Sequence, residues 1–159
     1  MIILISGYLG SGKTQCAKSF TSKNTTILEM DVYYKRMKQF RLPADFGSII
    51  DPAFITTYHR AKTSLYVGNR IVVTGPFNKM NQLNKYAKLA KEFNRKLIFI
   101  RLEKQENIVS PFIIEKNDLY IHDFNLLTLE EVKNYLNFLN IRNKVYKVNW
   151  LTKEKKAIF

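Results

Sequence analysis

Residues 7–14 read G-Y-L-G-S-G-K-T, which satisfies G-x-x-x-x-G-K-[ST] at every fixed position. The flanking residues supply the context the motif needs. Residues 1–6 (M-I-I-L-I-S) are a short apolar run of strand type, and residues 15–20 (Q-C-A-K-S-F) continue as a helix with Cys16, Ala17 and Phe20 on one side. A strand, a glycine-rich turn and a helix N-terminus in that order make a phosphate-binding loop. Successive backbone N–H groups curl around the anion, and the positive end of the helix dipole adds to them. Gly7, Gly10 and Gly12 allow the main chain to approach closely and to take positive φ where the turn requires it. The motif assigns Lys13 to the β- and γ-phosphate oxygens and the Thr14 hydroxyl to Mg²⁺. Gly7, Gly10, Ser11, Gly12, Lys13 and Thr14 are therefore the expected ATP contacts, with ATP and Mg²⁺ as ligands. The competing account, a chance glycine-rich turn carrying a lysine, leaves the strand before it and the helix after it unexplained.

Outward from the loop, strand-like and helix-like periodicities alternate, which is the pattern of an α/β fold with a mostly parallel sheet. Residues 25–30 (T-T-I-L-E-M) read as a second strand that ends at Asp31. Residues 32–40 form a short helix or irregular turn, closed by Pro43. Asp51-Pro52 starts a helix, as an acidic N-cap followed by proline in the first turn. Phe54, Tyr58, Ala61 and Leu65 recur along it at helical spacing, and Gly68 ends it. Residues 70–74 (R-I-V-V-T) are a third strand, followed by a helix carrying Leu83, Tyr86, Ala87, Ala90 and Phe93 and by a fourth strand at 96–102. Residues 119–123 (L-Y-I-H-D) read as a fifth strand. Thr128 to Glu131 has the form of a capping box, with Leu127 and Val132 as its hydrophobic staple. Residues 145–151 are a candidate last edge strand, and 153–156 (K-E-K-K) read as a frayed terminus. The expected architecture is one α/β domain over 1–159, a mostly parallel five-stranded sheet flanked by helices. Right-handed crossovers bring the carboxyl ends of all parallel strands to one sheet edge. Asp31, Thr74 and Gly75 then arrive near the phosphate loop.

The chain has 159 residues, 46% of them hydrophobic, enough for a substantial core in one domain. No apolar run has the length of a bilayer span, and the first six residues are too few for a signal peptide. One cysteine, Cys16, excludes an internal disulfide and fits a reducing compartment. Cytoplasm is the expected location, host cytoplasm if the source is viral. Twenty-six Lys and Arg against thirteen Asp and Glu give a net charge of +13. That balance favours polyanionic partners. A lysine-rich solvated surface from a biased composition competes with this account, since the lysines are dispersed.

Phosphoryl transfer also requires a group that accepts or orients the acceptor's proton. Asp31 is the candidate base, with capping of the following helix as a compatible structural role. Arg36 and Arg41 lie close to it in sequence and are candidate acceptor-binding residues, against a solvated basic face. Tyr33, Tyr34 and Phe40 offer stacking platforms for a base, against plain packing beneath the loop. His59 and His122 lack partners at metal-ligand spacing. Cys16 falls on the buried side of the first helix and reads as packing.

The loop, the strand ending in Asp31 and the run A-K-T-S-L-Y-V-G-N-R-I-V-V-T-G at 61–75 resemble the P-loop kinases related to phage polynucleotide 5′-hydroxyl kinases and zeta-type toxins. The resemblance covers roughly residues 1–102. It implies that Lys13 binds phosphate, Thr14 holds magnesium and Asp31 is the general base. Two features depart from it. Thr74, Gly75, Pro76 and Phe77 stand where such kinases carry an aspartate and a polar residue, and Asn78 is the first polar replacement. No Walker-B-type aspartate is present, so magnesium would depend on Thr14, the phosphates and water. Between Leu102 and Leu119 there are Lys104 and Lys116 but no arginine, which suggests a reduced lid. Arg36, Arg41, Arg60, Arg142 or a second subunit would have to substitute, or turnover is slow. The resemblance implies transfer of the ATP γ-phosphate to a nucleic-acid hydroxyl. The alternatives are a nucleoside, nucleotide or small-metabolite kinase, and an ATP-binding regulatory protein with little or no transfer.

Overall fold

Ile2–Ser6 forms β1 (I-I-L-I-S), and every one of its residues is buried. A strand with no polar alternation must be covered on both faces, and β1 occupies the middle of the sheet. The computed structural model describes residues 1–8, 10–33, 52–103, 126–149, 152 and 154–158. Within them the sheet continues as β2 (Thr25–Glu29), β3 (Arg70–Gly75), β4 (Leu97–Leu102), β5 (Asn143–Val148) and β6 (Lys155–Ile158). The helices are α1 (Lys13–Lys18), α2 (Pro52–Tyr66), α3 (Met80–Glu92) and α4 (Leu129–Phe138). Strand order is β2-β3-β1-β4-β5-β6, parallel throughout except for the antiparallel β5–β6 pair.

This order decides where the helices lie. Right-handed crossovers from β2 to β3, β3 to β4 and β4 to β5 all run in one direction across the sheet. Their helices α2, α3 and α4 accordingly bury Phe54, Leu65, Leu83, Tyr86, Val132 and Leu136 on one face, against Leu4, Val73 and Phe99. The β1-to-β2 crossover runs the opposite way, so α1 packs Cys16 and Ala17 on the other face, against Ile3, Ile5, Val72 and Ile100. Cys16 is therefore a packing residue. Of the apolar positions read from sequence, Phe54, Ala61, Leu65, Leu83, Tyr86, Ala87 and Ala90 are buried, while Tyr58 and Phe93 are partly buried against the same core.

Local signals hold at several boundaries. Gly68 has φ +85° immediately after α2, as a terminating glycine requires. The Thr128 hydroxyl accepts from the Glu131 N–H at 3.1 Å, and a Glu131 carboxylate oxygen accepts from the Thr128 N–H at 2.7 Å. This reciprocal box opens α4.

Among the described residues the sheet has six strands rather than five. Residues 143–148 form an interior strand between β4 and β6, not an edge. Residues 153–156 do not read through as a frayed end: Lys155–Ile158 pairs with β5, and Val145 stands opposite Ile158. The open side of β5 offers unpaired backbone groups, and the returning chain satisfies them. The Lys155 ammonium lies 3.8 Å from the centre of the Tyr146 ring. The expected strand at 119–123, Asp51 and the segment expected as a reduced lid lie outside the described residues.

Candidate functional site

The parallel strands deliver Ser6, Glu29, Gly75 and Leu102 to one edge, where the residues after β1 turn into α1. Ser6 is in register with Gly75 on one side and Arg101 on the other. Its hydroxyl donates to the Pro76 carbonyl at 2.6 Å, tying the start of the loop to the end of β3. Gly10 (φ +78°) and Gly12 (φ +87°) carry the turn through the left-handed region, where a side chain is costly. Gly7 is required for a different reason: a Cβ there would collide with the Ser11 hydroxyl and press on Leu102. Ser11 is buried, and its hydroxyl has no partner among the described residues.

Lys13 is 7% exposed, and its ammonium donates to the Gly7 carbonyl at 3.1 Å and the Tyr8 carbonyl at 3.0 Å. The same nitrogen lies 3.6 Å from a carboxylate oxygen of Asp31. Asp31 stands just beyond β2, in a helical turn that begins at Met30. Its side chain keeps 30% exposure, so it is open to solvent. Two groups separated by eighteen residues of sequence thus meet at the mouth of the loop. Thr14 is exposed, and its hydroxyl donates to a Glu29 carboxylate oxygen at 2.7 Å. Glu29 did not stand out in the sequence. Its one signal is an acidic side chain at the end of an otherwise uncharged strand, T-T-I-L-E.

The other candidates separate clearly. Tyr33 is nearly buried in the core, and its hydroxyl accepts from the Arg60 guanidinium at 2.6 Å. Tyr33 is therefore packing rather than an open platform, and Arg60 braces the segment that follows Asp31. The Arg142 carbonyl accepts from the N–H of Leu97, the first residue of β4, at 3.0 Å. Arg142 therefore sits at the edge opposite the loop and cannot serve as a substitute lid arginine. Arg36, Arg41, Tyr34, Phe40 and His122 lie outside the described residues. His59 is exposed on α2, with its ring against Tyr58. Asn78 lies three residues beyond β3 with its side-chain amide oxygen buried, and Gln82 and Tyr86 bury their polar atoms on the adjoining α3. None of these three groups has a partner among the described residues.

Arg101 is a basic residue at this edge that sequence reasoning passed over. Its guanidinium donates to the Leu127 carbonyl at 2.7 Å. Burial lowers its pKa from the ordinary range, and nearby Tyr8 acts in the opposite sense. The contact joins β4 to the residue before the α4 cap.

The Thr14 hydroxyl oxygen, with the Glu29 carboxylate beside it, is a hard donor that suits Mg²⁺. Among the described residues no cluster of three or more acidic, histidine or cysteine groups forms a metal cage. Mg²⁺ at phosphoryl-transfer sites is commonly held by one or two carboxylates together with substrate phosphates, so the residues present fit.

No family model matches the sequence, and no curated protein matches it significantly. Solved structures do. A candidate kinase from Chloroflexus aurantiacus superposes with TM-score 0.60 at 14% identity, over 96% of this chain and 90% of its own. A component of the PezAT chromosomal toxin–antitoxin system of Streptococcus pneumoniae gives TM-score 0.60 at 19% identity, over all of this chain and 70% of its own. A chain of the Pnkp1/Rnl/Hen1 complex gives TM-score 0.52 at 16% identity, over 82% of this chain and 42% of its own. The sheet, the helices and the loop after β1 follow the same fold as these chains, a mostly parallel α/β sheet with the phosphate-loop motif after its first strand.

Proposed function

We propose that this chain is an ATP-dependent phosphotransferase whose acceptor is a hydroxyl of a nucleic acid. The observation that carries the reading is the meeting of Lys13 and Asp31, 3.6 Å apart, at the mouth of a glycine-shaped phosphate loop. A cation for the donor and a carboxylate for the acceptor are the two groups that in-line transfer requires of a protein. The loop amides and Lys13 bind the β- and γ-phosphates. Thr14 would hold Mg²⁺ together with the phosphates and water, and the ion would neutralise charge on the phosphates when bound. Asp31 takes the proton of the acceptor hydroxyl as its oxygen bonds to the γ-phosphorus. The bond from that phosphorus to the β,γ-bridging oxygen breaks, and ADP leaves with the electron pair.

The net charge of +13 supports a polyanionic acceptor over a small one. Single-turnover assays with γ-labelled ATP against oligonucleotides and free nucleosides test this directly. Label on an oligonucleotide end supports the proposal. Label on a nucleoside moves the acceptor to small molecules, and label on neither leaves an ATP-binding protein without transfer.

A further inference from the structure

We infer that Glu29 positions the Thr14 hydroxyl as a ligand for the nucleotide-bound divalent cation. It thereby takes over from β2 the task that an acidic residue at the end of β3 would otherwise perform. The inference rests on the triphosphate site proposed above and adds to it a residue that the loop motif does not contain.

A hydroxyl has one proton and two acceptor lone pairs. To ligate a cation it must point its lone pairs at the metal, so its proton has to go elsewhere. In this structure the proton has a fixed destination, the Glu29 carboxylate at 2.7 Å. That length is ordinary for a hydroxyl donating to an oxygen acceptor. Both lone pairs of the Thr14 oxygen then remain available on the side away from Glu29. Without an acceptor, the hydroxyl would rotate and donate to a phosphate oxygen, turning its proton toward the metal position.

The sheet order explains why the residue is glutamate and why it sits on β2. β3 separates β2 from β1, so the end of β2 lies two strand spacings, about 10 Å, from the end of β1. The short helix α1 packs across β1, β3 and β2, which carries Thr14 toward β2. The end of β3 offers only Thr74, Gly75 and Pro76, and Gly75 is covered: a Cβ there would meet the Met30 sulfur. A carboxylate therefore has to come from β2, and a long side chain closes the remaining gap. Asp31 is already beside Lys13, which leaves Glu29 as the carboxylate on Thr14.

Calorimetric titration of ATP, in EDTA and at a series of free Mg²⁺ concentrations, tests the inference on four proteins. These are the wild type, Glu29→Ala, Thr14→Ala and the double variant. In EDTA, Glu29→Ala is expected to bind ATP as the wild type does. With Mg²⁺ its apparent cation affinity is expected to fall about 10–100-fold, the usual cost of removing a residue that orients a metal ligand. If Glu29 acts through Thr14, the double variant is expected to match Thr14→Ala alone. Wild-type Mg²⁺ dependence in Glu29→Ala overturns the inference, as does an additive double variant. Loss of ATP binding in EDTA by Glu29→Ala also overturns it, because that assigns Glu29 to the scaffold. Failure of the wild type to bind ATP in any condition removes the triphosphate site itself, a result distinct from all of these.

Discussion

Lys13 and Asp31 lie 3.6 Å apart, yet the proposed chemistry asks different things of each, and substitution should separate them. Asp31→Asn keeps the shape and removes the proton acceptor. It should leave ATP affinity nearly unchanged while lowering single-turnover transfer about 10²–10⁴-fold, the usual contribution of a general base. Wild-type transfer in that variant would reject Asp31 in the role. Gly7→Ala should act on the donor side, because its Cβ collides with the Ser11 hydroxyl and presses on Leu102 at 3.3 Å. Weakened ATP binding without loss of the fold, read by calorimetry and circular dichroism together, is the expected result. The loop residues were legible in the sequence because the motif is local: spacing alone fixes Lys13 and Thr14 relative to the turn. Asp31 was legible through the rule that gathers parallel strand ends. Glu29 was not, because its partner Thr14 is reached only through the lateral order of β2, β3 and β1, which no local pattern encodes.

Among the elements, α4 offers the cleanest link from sequence to stability. Thr128 and Glu131 exchange two hydrogen bonds, satisfying N–H groups that have no partner inside the helix. Thr128→Ala should cost about 0.5–2 kcal/mol. In a domain of this size that lowers Tm by about 2–4 °C for each kcal/mol. The pH dependence has a definite sign. The backbone N–H of Thr128, and then its side chain, hold the Glu131 carboxylate below its ordinary pKa in the folded state. The stabilisation is therefore present above the unfolded carboxylate value, about 4.3, and is lost as pH falls through the lower folded value. Glu131→Gln should melt below the wild type at pH 6, and the difference should shrink as pH falls through the lowered folded value. Helix starts of this kind were readable because a capping box is a four-residue local pattern. β6 was not: K-K-A-I reads as a solvated end until the open side of β5 supplies its pairing partner. The lysines that disguised it also suit an edge strand, since charge there discourages further pairing.

At the scale of the whole molecule the net charge of +13 bears on whether the proposed acceptor is a polymer or a small molecule. The described residues show three lysine–carboxylate pairs, Lys13–Asp31, Lys62–Glu92 and Lys147–Glu103. Among the described residues these leave most Lys and Arg side chains without an ion pair of that kind. A single strand bound through such charges releases condensed counterions, so its affinity must fall with salt at a slope of about −0.7 for each phosphate neutralised. For about five phosphates, raising monovalent salt fourfold should weaken binding about a hundredfold. ATP itself, gripped by the loop amides and a nearly buried Lys13, should lose far less, because much of its binding comes from oriented backbone dipoles at close range. The measurement is a pair of titrations on the same protein, oligonucleotide and ATP, each at low and high salt. A steep slope for the oligonucleotide beside a shallow one for ATP places a strand on the basic surface. Equal shallow slopes would mean that the lysines reflect composition alone, and the hydroxyl that reaches Asp31 would then belong to a small molecule.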